Sequence, residues 1–283
     1  MLNFPIIDAH IHLWDIDNLD YKWLAQFPKL NRTYLLSDYN TAIGNANIEK
    51  FIYVQCECHP SQYLEEIKWI ESIAKKDQRL AAIIPWAPIH TGKAVINTLE
   101  SFHSNQKIKG VRQLIQNQTE MDFCLKPQFL EGIKLLGEYN LHFELTISPE
   151  QFPSVIKMVE QCPETRFILD HVGNPNILNN EIRPWADYIK AFSESGNHYC
   201  KFSNLVCNAD LNNWNIDDLK PYSDHIIETF GTDRLIWGSD WPHALRASSW
   251  SKWFETAIEL TDNLSQEALK KIFYDNAKTF YNL

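Results

Sequence analysis

The chain has 283 residues, and its 26 Lys plus Arg against 36 Asp plus Glu give a formal net charge of −10. An acidic balance of this size repels phosphate backbones and anionic lipid, which excludes nucleic acid and membrane surfaces as natural partners. Hydrophobic residues at 45% and charged residues at 22% are an ordinary globular composition, and a chain this long buries a core without staples.

The longest apolar stretch, Leu80 to Ile89, is broken by Pro85 and Pro88 and is too short for a membrane span. The start, MLNFPIIDAH, carries no basic segment and no long apolar segment, so no secretory signal is expected there. The 6 cysteines (Cys56, Cys58, Cys124, Cys162, Cys200 and Cys207) form no C-x-x-C pair and are too sparse for a disulfide scaffold. Reduced thiols and a cytoplasmic protein are expected. Cys56 and Cys58 stand at strand spacing and read as buried strand residues rather than a metal pair.

In chain order, β-rich apolar runs occur at Ile6 to His12, Phe51 to Glu57, Leu80 to Trp86 and Lys109 to Ile115. They continue at Leu141 to Ile147, Arg166 to Val172, Tyr199 to Val206 and Arg234 to Asp240. The runs are nearly continuous rather than alternating, as parallel strands covered on both faces require. Between them lie helical segments. Pro60 to Lys76 sets Tyr63, Ile67, Ile70, Ile73 and Ala74 on one stripe, with Ser61 as its expected N-cap. Pro127 to Tyr139, Pro149 to Gln161 and Asp217 to Phe230 behave similarly, and Ser249 to Leu260 and Ser265 to Tyr274 follow the last strand.

This alternation predicts an α/β fold, a TIM-type (β/α)8 barrel with extra C-terminal helices, as a single domain over residues 1–283. An open doubly wound sheet would be expected to carry a glycine-rich phosphate turn, and the 9 glycines form none. The irregular segment from Trp14 to Ser37 holds Trp14, Tyr21, Trp23 and Phe27; it either covers the barrel mouth as a lid or is anchored by those rings.

Catalytic groups of such barrels gather at the C-terminal strand ends. Strand one ends in His10-Ile-His12, whose side chains share a face; strand six ends in Asp170-His171; strand eight ends in Asp240; strand four carries Arg112. His10, His12, His171 and Asp240 meeting at one mouth would make a divalent-metal site suited to zinc, with manganese the alternative. Glu144 and Lys201 lie in apolar strands, where an unpaired charge is costly, so a structural Glu144–Lys201 pair inside the barrel is one expectation.

DAHIHLWD, KGVRQ, ILDHVGNP, KFSNL, FGTDRLIWGSDWPH and IFYDNAKTFYNL, in that order, resemble the amidohydrolase-related superfamily. More narrowly, they are similar to its sugar-lactonase and 2-pyrone-4,6-dicarboxylate lactonase branch. The resemblance implies a distorted barrel that hydrolyses small cyclic esters. His10, His12, His171 and Asp240 would surround metal and water, Asp240 and His171 being the catalytic pair. It also implies that catalysis in this branch can proceed without a tightly bound metal. KGVRQ has no lysine at the end of strand four for a bridged pair of ions, so at most one metal ion is expected.

The branch commonly has glycine where this chain has Asn204, and an aliphatic residue where it has His243. Substrate contacts are expected from Trp14, Gln55, Glu57, Arg112, Gln113 and His243, acting on a small molecule such as an aldonolactone. The competing enzyme reading is a metal-dependent decarboxylase of an aromatic or unsaturated acid on the same barrel. A third is a catalytically inert scaffold or binder.

Overall fold

The computed structural model describes residues 2–283. Eight parallel strands form two sheets: β1 (Ile6–Ile11), β2 (Ile48–Val54) and β3 (Leu80–Ile84) in one. The other runs in sequence order through β4 (Gly110–Val111), β5 (His142–Leu145), β6 (Phe167–Leu169), β7 (Tyr199–Phe202) and β8 (Leu235–Trp237). Single bridges, Ile83 to Ile108 and Ile11 to Trp241, join the sheets edge to edge. The result is the expected (β/α)8 barrel, distorted at its two seams. Gly238 permits the β8–β1 seam, because a Cβ there would come within 2.8 Å of the His10 Cβ.

The helices are α1 (Leu36–Ile43), α2 (Tyr63–Lys76), α3 (Ile96–His103), α4 (Pro127–Glu138) and α5 (Phe152–Gln161). They continue with α6 (Trp185–Glu194), α7 (Ile216–Phe230), α8 (Trp250–Glu259), α9 (Gln266–Lys270) and α10 (Asn276–Phe280). Ser61 does not cap α2. It lies in a short 3-10 turn over Pro60–Gln62, where its backbone N–H donates to the His59 side chain. The strand ends are shorter than the apolar runs suggest, because the chain turns left-handed beyond them: Glu57, His171, Asn204 and Asp240 all have φ between 53 and 59°.

Ile7, Ala9, Ile52, Val54, Ala82, Ile84, Ile168 and Ile236 fill one inner cluster. Ala277, Phe280 and Tyr281, at the C-terminal end, pack into the same cluster and plug it. All 6 cysteines are free thiols, and Cys56 and Cys58 are buried just past β2. Among the described residues no helix is long and apolar enough to cross a membrane.

Candidate active site

Strand β1 delivers His10 and His12 side by side, with their Nε2 atoms 3.2 Å apart. The turn after β8 is clamped to this strand. Asp240 donates its backbone N–H to the His10 carbonyl at 2.8 Å, and His12 N–H donates to the Trp241 carbonyl at 2.7 Å. Asp8 reinforces the clamp by accepting from Ser239 N–H at 2.8 Å and from the Trp250 indole at 3.0 Å. The Asp240 carboxylate thereby reaches His12, its Oδ1 lying 3.1 Å from His12 Nε2. Its Oδ2 accepts from His243 Nδ1 at 2.9 Å, and His243 Nε2 accepts from Arg246 at 3.1 Å, a pair of partners that fixes the His243 tautomer.

The third imidazole arrives from β6. His171 and Val172 sit in the left-handed region, at φ 53 and 48°. A β-branched residue there is an outlier costing ~1–3 kcal/mol, held by surrounding packing. The His171 Nδ1 meets Ser203 Oγ at 2.9 Å, and its ring centroid lies 4.6 Å from that of His10.

Below these groups lies a buried ionic cluster. Lys201 Nζ donates to Glu144 Oε2 at 2.6 Å and to His10 Nδ1 at 3.0 Å, and stands 3.1 Å from Asp170 Oδ1. The Glu144–Lys201 pair expected from the sequence is therefore present. Tyr281 donates to Glu144 Oε1 at 3.0 Å, Thr146 donates to Asp170 Oδ2 at 2.7 Å, and Arg112 stands 3.5 Å from the same oxygen.

Burial pushes the Asp240 carboxyl up, but His171 and His243 beside it and its contacts with His12 and His243 outweigh this and hold it well below the usual carboxylate range. Burial lowers His171 to about 4 against the opposing pull of Asp240 and Asp170. Burial, reinforced by the Lys201 charge, lowers His10 as well. At neutral pH the cluster thus offers an ionised carboxylate among uncharged imidazoles, the combination a general base requires.

The same atoms suit a single cation. His10 Nε2, His12 Nε2 and Asp240 Oδ1 are separated by 3.2, 3.1 and 3.6 Å. Ligands around a tetrahedral zinc with bonds of ~2.0–2.1 Å stand about 3.4 Å apart. His12 Nδ1 donates to the Val54 carbonyl at 2.7 Å, so its Nε2 lone pair faces the Asp240 oxygen. Two acceptors at that range call for a proton or a metal cation between them. A second cluster, His10, Asp170 and His171, shares His10 with the first, and the Lys201 ammonium already takes the cationic place beside Asp170.

His12, Arg112, His171, Asp240, His243 and Glu57 line a cavity of about 810 Å³. Other expected contacts lie off this wall. Trp14 is fully buried behind it, its indole donating to the Arg32 carbonyl. Gln113 is turned to His90, accepting from its backbone N–H at 3.2 Å and meeting its ring at 2.8 Å. Gln55 is buried beneath Glu57, accepting from its N–H at 2.6 Å and donating to its carboxylate at 2.8 Å, so it shapes the wall without being part of it. The Trp14–Ser37 segment divides. Trp14 and Tyr21 anchor it, while Trp23 and Phe27 reach the cavity. Sequence reasoning missed Gln116, Asn117, Asn174, Asn208 and Arg246 on the wall, because segments beyond the strand ends carry them, and passed over Trp86 although the third apolar run ends there.

The chain matches the family model described as amidohydrolase over residues 7–283. It is 25% identical to an L-fucono-1,5-lactonase of Burkholderia ambifaria, covering 98% of this chain and 95% of the relative. It is 22% identical to an L-rhamnono-gamma-lactonase of Scheffersomyces stipitis, covering 100% of both. Its fold superposes with a TM-score of 0.90 on a zinc-bound amidohydrolase from Burkholderia multivorans, at 22% identity over 99% of this chain and 100% of the other.

Proposed function

The chain belongs to the amidohydrolase family, and on that premise we propose that it is a hydrolase that opens a small, uncharged sugar lactone with water activated by Asp240. The observation that carries the reading is the Asp240 carboxylate. It is kept ionised at the cavity wall, with one oxygen tied to His243 and the other directed to His12. The lactonase relatives support the substrate class.

In this reading Asp240 Oδ1 takes a proton from the attacking water and returns it to the ring oxygen as the ester bond breaks. His243 holds the other oxygen and keeps the carboxylate oriented. Arg112 stabilises the oxyanion that develops at the carbonyl, where its planar fork suits the charge. Its Nη2 donates to the Gln55 carbonyl and its Nη1 faces Asp170, so the guanidinium is held before substrate arrives. His171, uncharged and fixed by Ser203, is the second donor available to the carbonyl. A divalent ion held by His10, His12 and Asp240 would supply Lewis-acid polarisation and a more acidic water.

The walls favour a neutral polyol ring. Trp23, Phe27 and Trp86 offer apolar faces, and Gln116, Asn117, Asn174 and Asn208 offer amides for hydroxyls. The reading commits Arg112, beside Asp170, to the reacting carbonyl; the other cations on the wall are Arg246, held on the His243 ring, and the exposed Lys22 at the rim, 3.7 Å from Asp20. A substrate with two carboxylates beside the reacting ester would find little further cationic charge to meet it, whereas a neutral ring needs none.

The test is a pH-indicator screen of aldonolactones with purified protein and an Asp240→Asn control. Protons released from a lactone by the native protein and not by the control support the reading. Release of carbon dioxide from a carboxylated ring instead would replace it.

A further inference from the structure

Asn204 closes β7 at the cavity wall, between the strands that carry His171 and Asp240. Its backbone is left-handed, φ 59° and ψ 15°, a position where glycine is the ordinary occupant and asparagine the main alternative. The conformation is pinned from both sides. Ser203 Oγ meets His171 Nδ1 at 2.9 Å, and Cys207 N–H donates to the Asn204 carbonyl at 3.0 Å. A glycine would meet this backbone need, so the side chain is extra to the fold.

That side chain has no partner of its own. Asn204 is 3% exposed, and its Oδ1 is buried without a hydrogen bond among the described residues. A buried amide left unpaired is a liability unless something else pairs with it. The terminal torsion of asparagine is broad and its two ends are alike in shape, so the amide can turn either its acceptor or its donor to the cavity.

We propose that Asn204 is a specificity-determining residue that pairs with the hydroxyl on the substrate carbon next to the ester carbonyl. The proposal rests on the lactone reading above. His171 and Asp240, on the flanking strands, address the reacting ester, so the polar group between them meets the adjacent carbon. A hydroxyl there both donates and accepts, which suits an amide. A lactone lacking it leaves the buried amide unpaired in the transition state, and sites built to bind a hydroxyl discriminate strongly against its absence.

The variant of choice is Asn204→Gly, which keeps the left-handed backbone free of strain and removes only the amide. Its folding is checked by near-ultraviolet circular dichroism and melting temperature. Aldonolactones and their 2-deoxy counterparts are compared by kcat/KM. The native protein favours the 2-hydroxy substrate, and the ratio of the two values falls about 10- to 100-fold in the variant. An unchanged ratio, or a native protein indifferent to the hydroxyl, overturns the proposal.

Calorimetry with the matching 2-hydroxy and 2-deoxy lactams, used once the native protein is shown to leave them unopened, separates this outcome from failure of the reaction assignment. If the native protein opens no lactone, the reaction reading falls. The role of Asn204 still stands if the variant loses the binding preference, and falls if the variant binds both lactams as the native protein does.

Discussion

Lys201 Nζ stands 3.0 Å from His10 Nδ1 inside the barrel, with neither side chain exposed to solvent. An ammonium can only donate, so without a metal ion this contact places the ring proton of an uncharged His10 on Nε2, towards His12 and Asp240; a cation on Nε2 would require that proton on Nδ1 and the Lys201 ammonium turned to Glu144 and Asp170 alone. The same ammonium pairs with Glu144 and, together with Arg112, with Asp170, both fully buried.

Removing it leaves Glu144 without a cation and Asp170 with Arg112 alone. Lys201→Met is therefore expected to destabilise the fold by about 3–5 kcal/mol, the usual cost of breaking a buried ion pair on one side. Urea denaturation measures it, and a Lys201→Met/Glu144→Gln double variant recovers part of the loss because one stranded charge is gone. A double variant no more stable than the single one would show that Glu144 does not depend on Lys201.

Asp240→Asn is expected to lower kcat by roughly 10²–10⁴-fold while leaving the fold intact, since the amide preserves shape and removes only the base. The pH profile checks the identity of that base. A carboxylate held below the usual range keeps kcat/KM level as pH falls through the range of ordinary histidines, and its own acid limb appears below the usual carboxylate range. A limb near pH 6 would assign the proton to an imidazole instead.

The barrel was legible because the eight β-rich runs are nearly continuous and apolar, interrupted by a few polar groups such as Asp8, Glu144 and Lys201, as doubly covered strands require. The strand ends were less so. Lys109 to Ile115 keeps strand pairing only at Gly110 and Val111, since the chain then turns and no apolar pattern records the turn. Four helices were missed: α1 and α3, each of which buries only two residues (Tyr39 with Ile43, Leu99 with Phe102), the five-residue α10, and α6, which buries Trp185, Ala186, Ile189, Phe192 and Ser193. His10, His12, His171 and Asp240 could be placed together from strand-end position alone. Trp14 and Gln113 were misjudged because sequence shows that a residue follows a strand but not which way its side chain turns. Lys201 was legible as a buried charge needing a partner, while its contact with His10 depends on barrel closure.

Metal stoichiometry gives a further check. The two candidate clusters share His10, and Lys201 lies beside the second, so loading with excess zinc followed by desalting is expected to leave one ion per chain at most. Elemental analysis reads the number, and His12→Ala lowers it, because His12 belongs only to the first cluster. Two ions per chain would mean that Lys201 gives up its place beside Asp170.

Stability should also fall on mild acidification, and histidines rather than acids set the window. Burial lowers both His171 and His198 to about 4 from an ordinary value of 6.5. Between these limits the unfolded chain binds protons that the native one refuses. The stability these two groups contribute is therefore complete above about pH 6.5 and declines as pH falls towards 4, while Glu66, which burial raises to about 7, opposes the decline. The depressed carboxyls Asp170 and Asp240 add their loss only below that range, as pH falls through their own lowered values. His198 lies outside the cavity, its ring packed against Phe167 and Phe192 at 5.5 and 5.0 Å and its Nε2 without a partner. His198→Phe keeps an aromatic ring there and removes one titrating group. The drop in urea midpoint between about pH 7 and pH 5 should be smaller in this variant than in the native protein. An equal drop would show that His198 takes up its proton in the folded state and that burial does not hold it neutral.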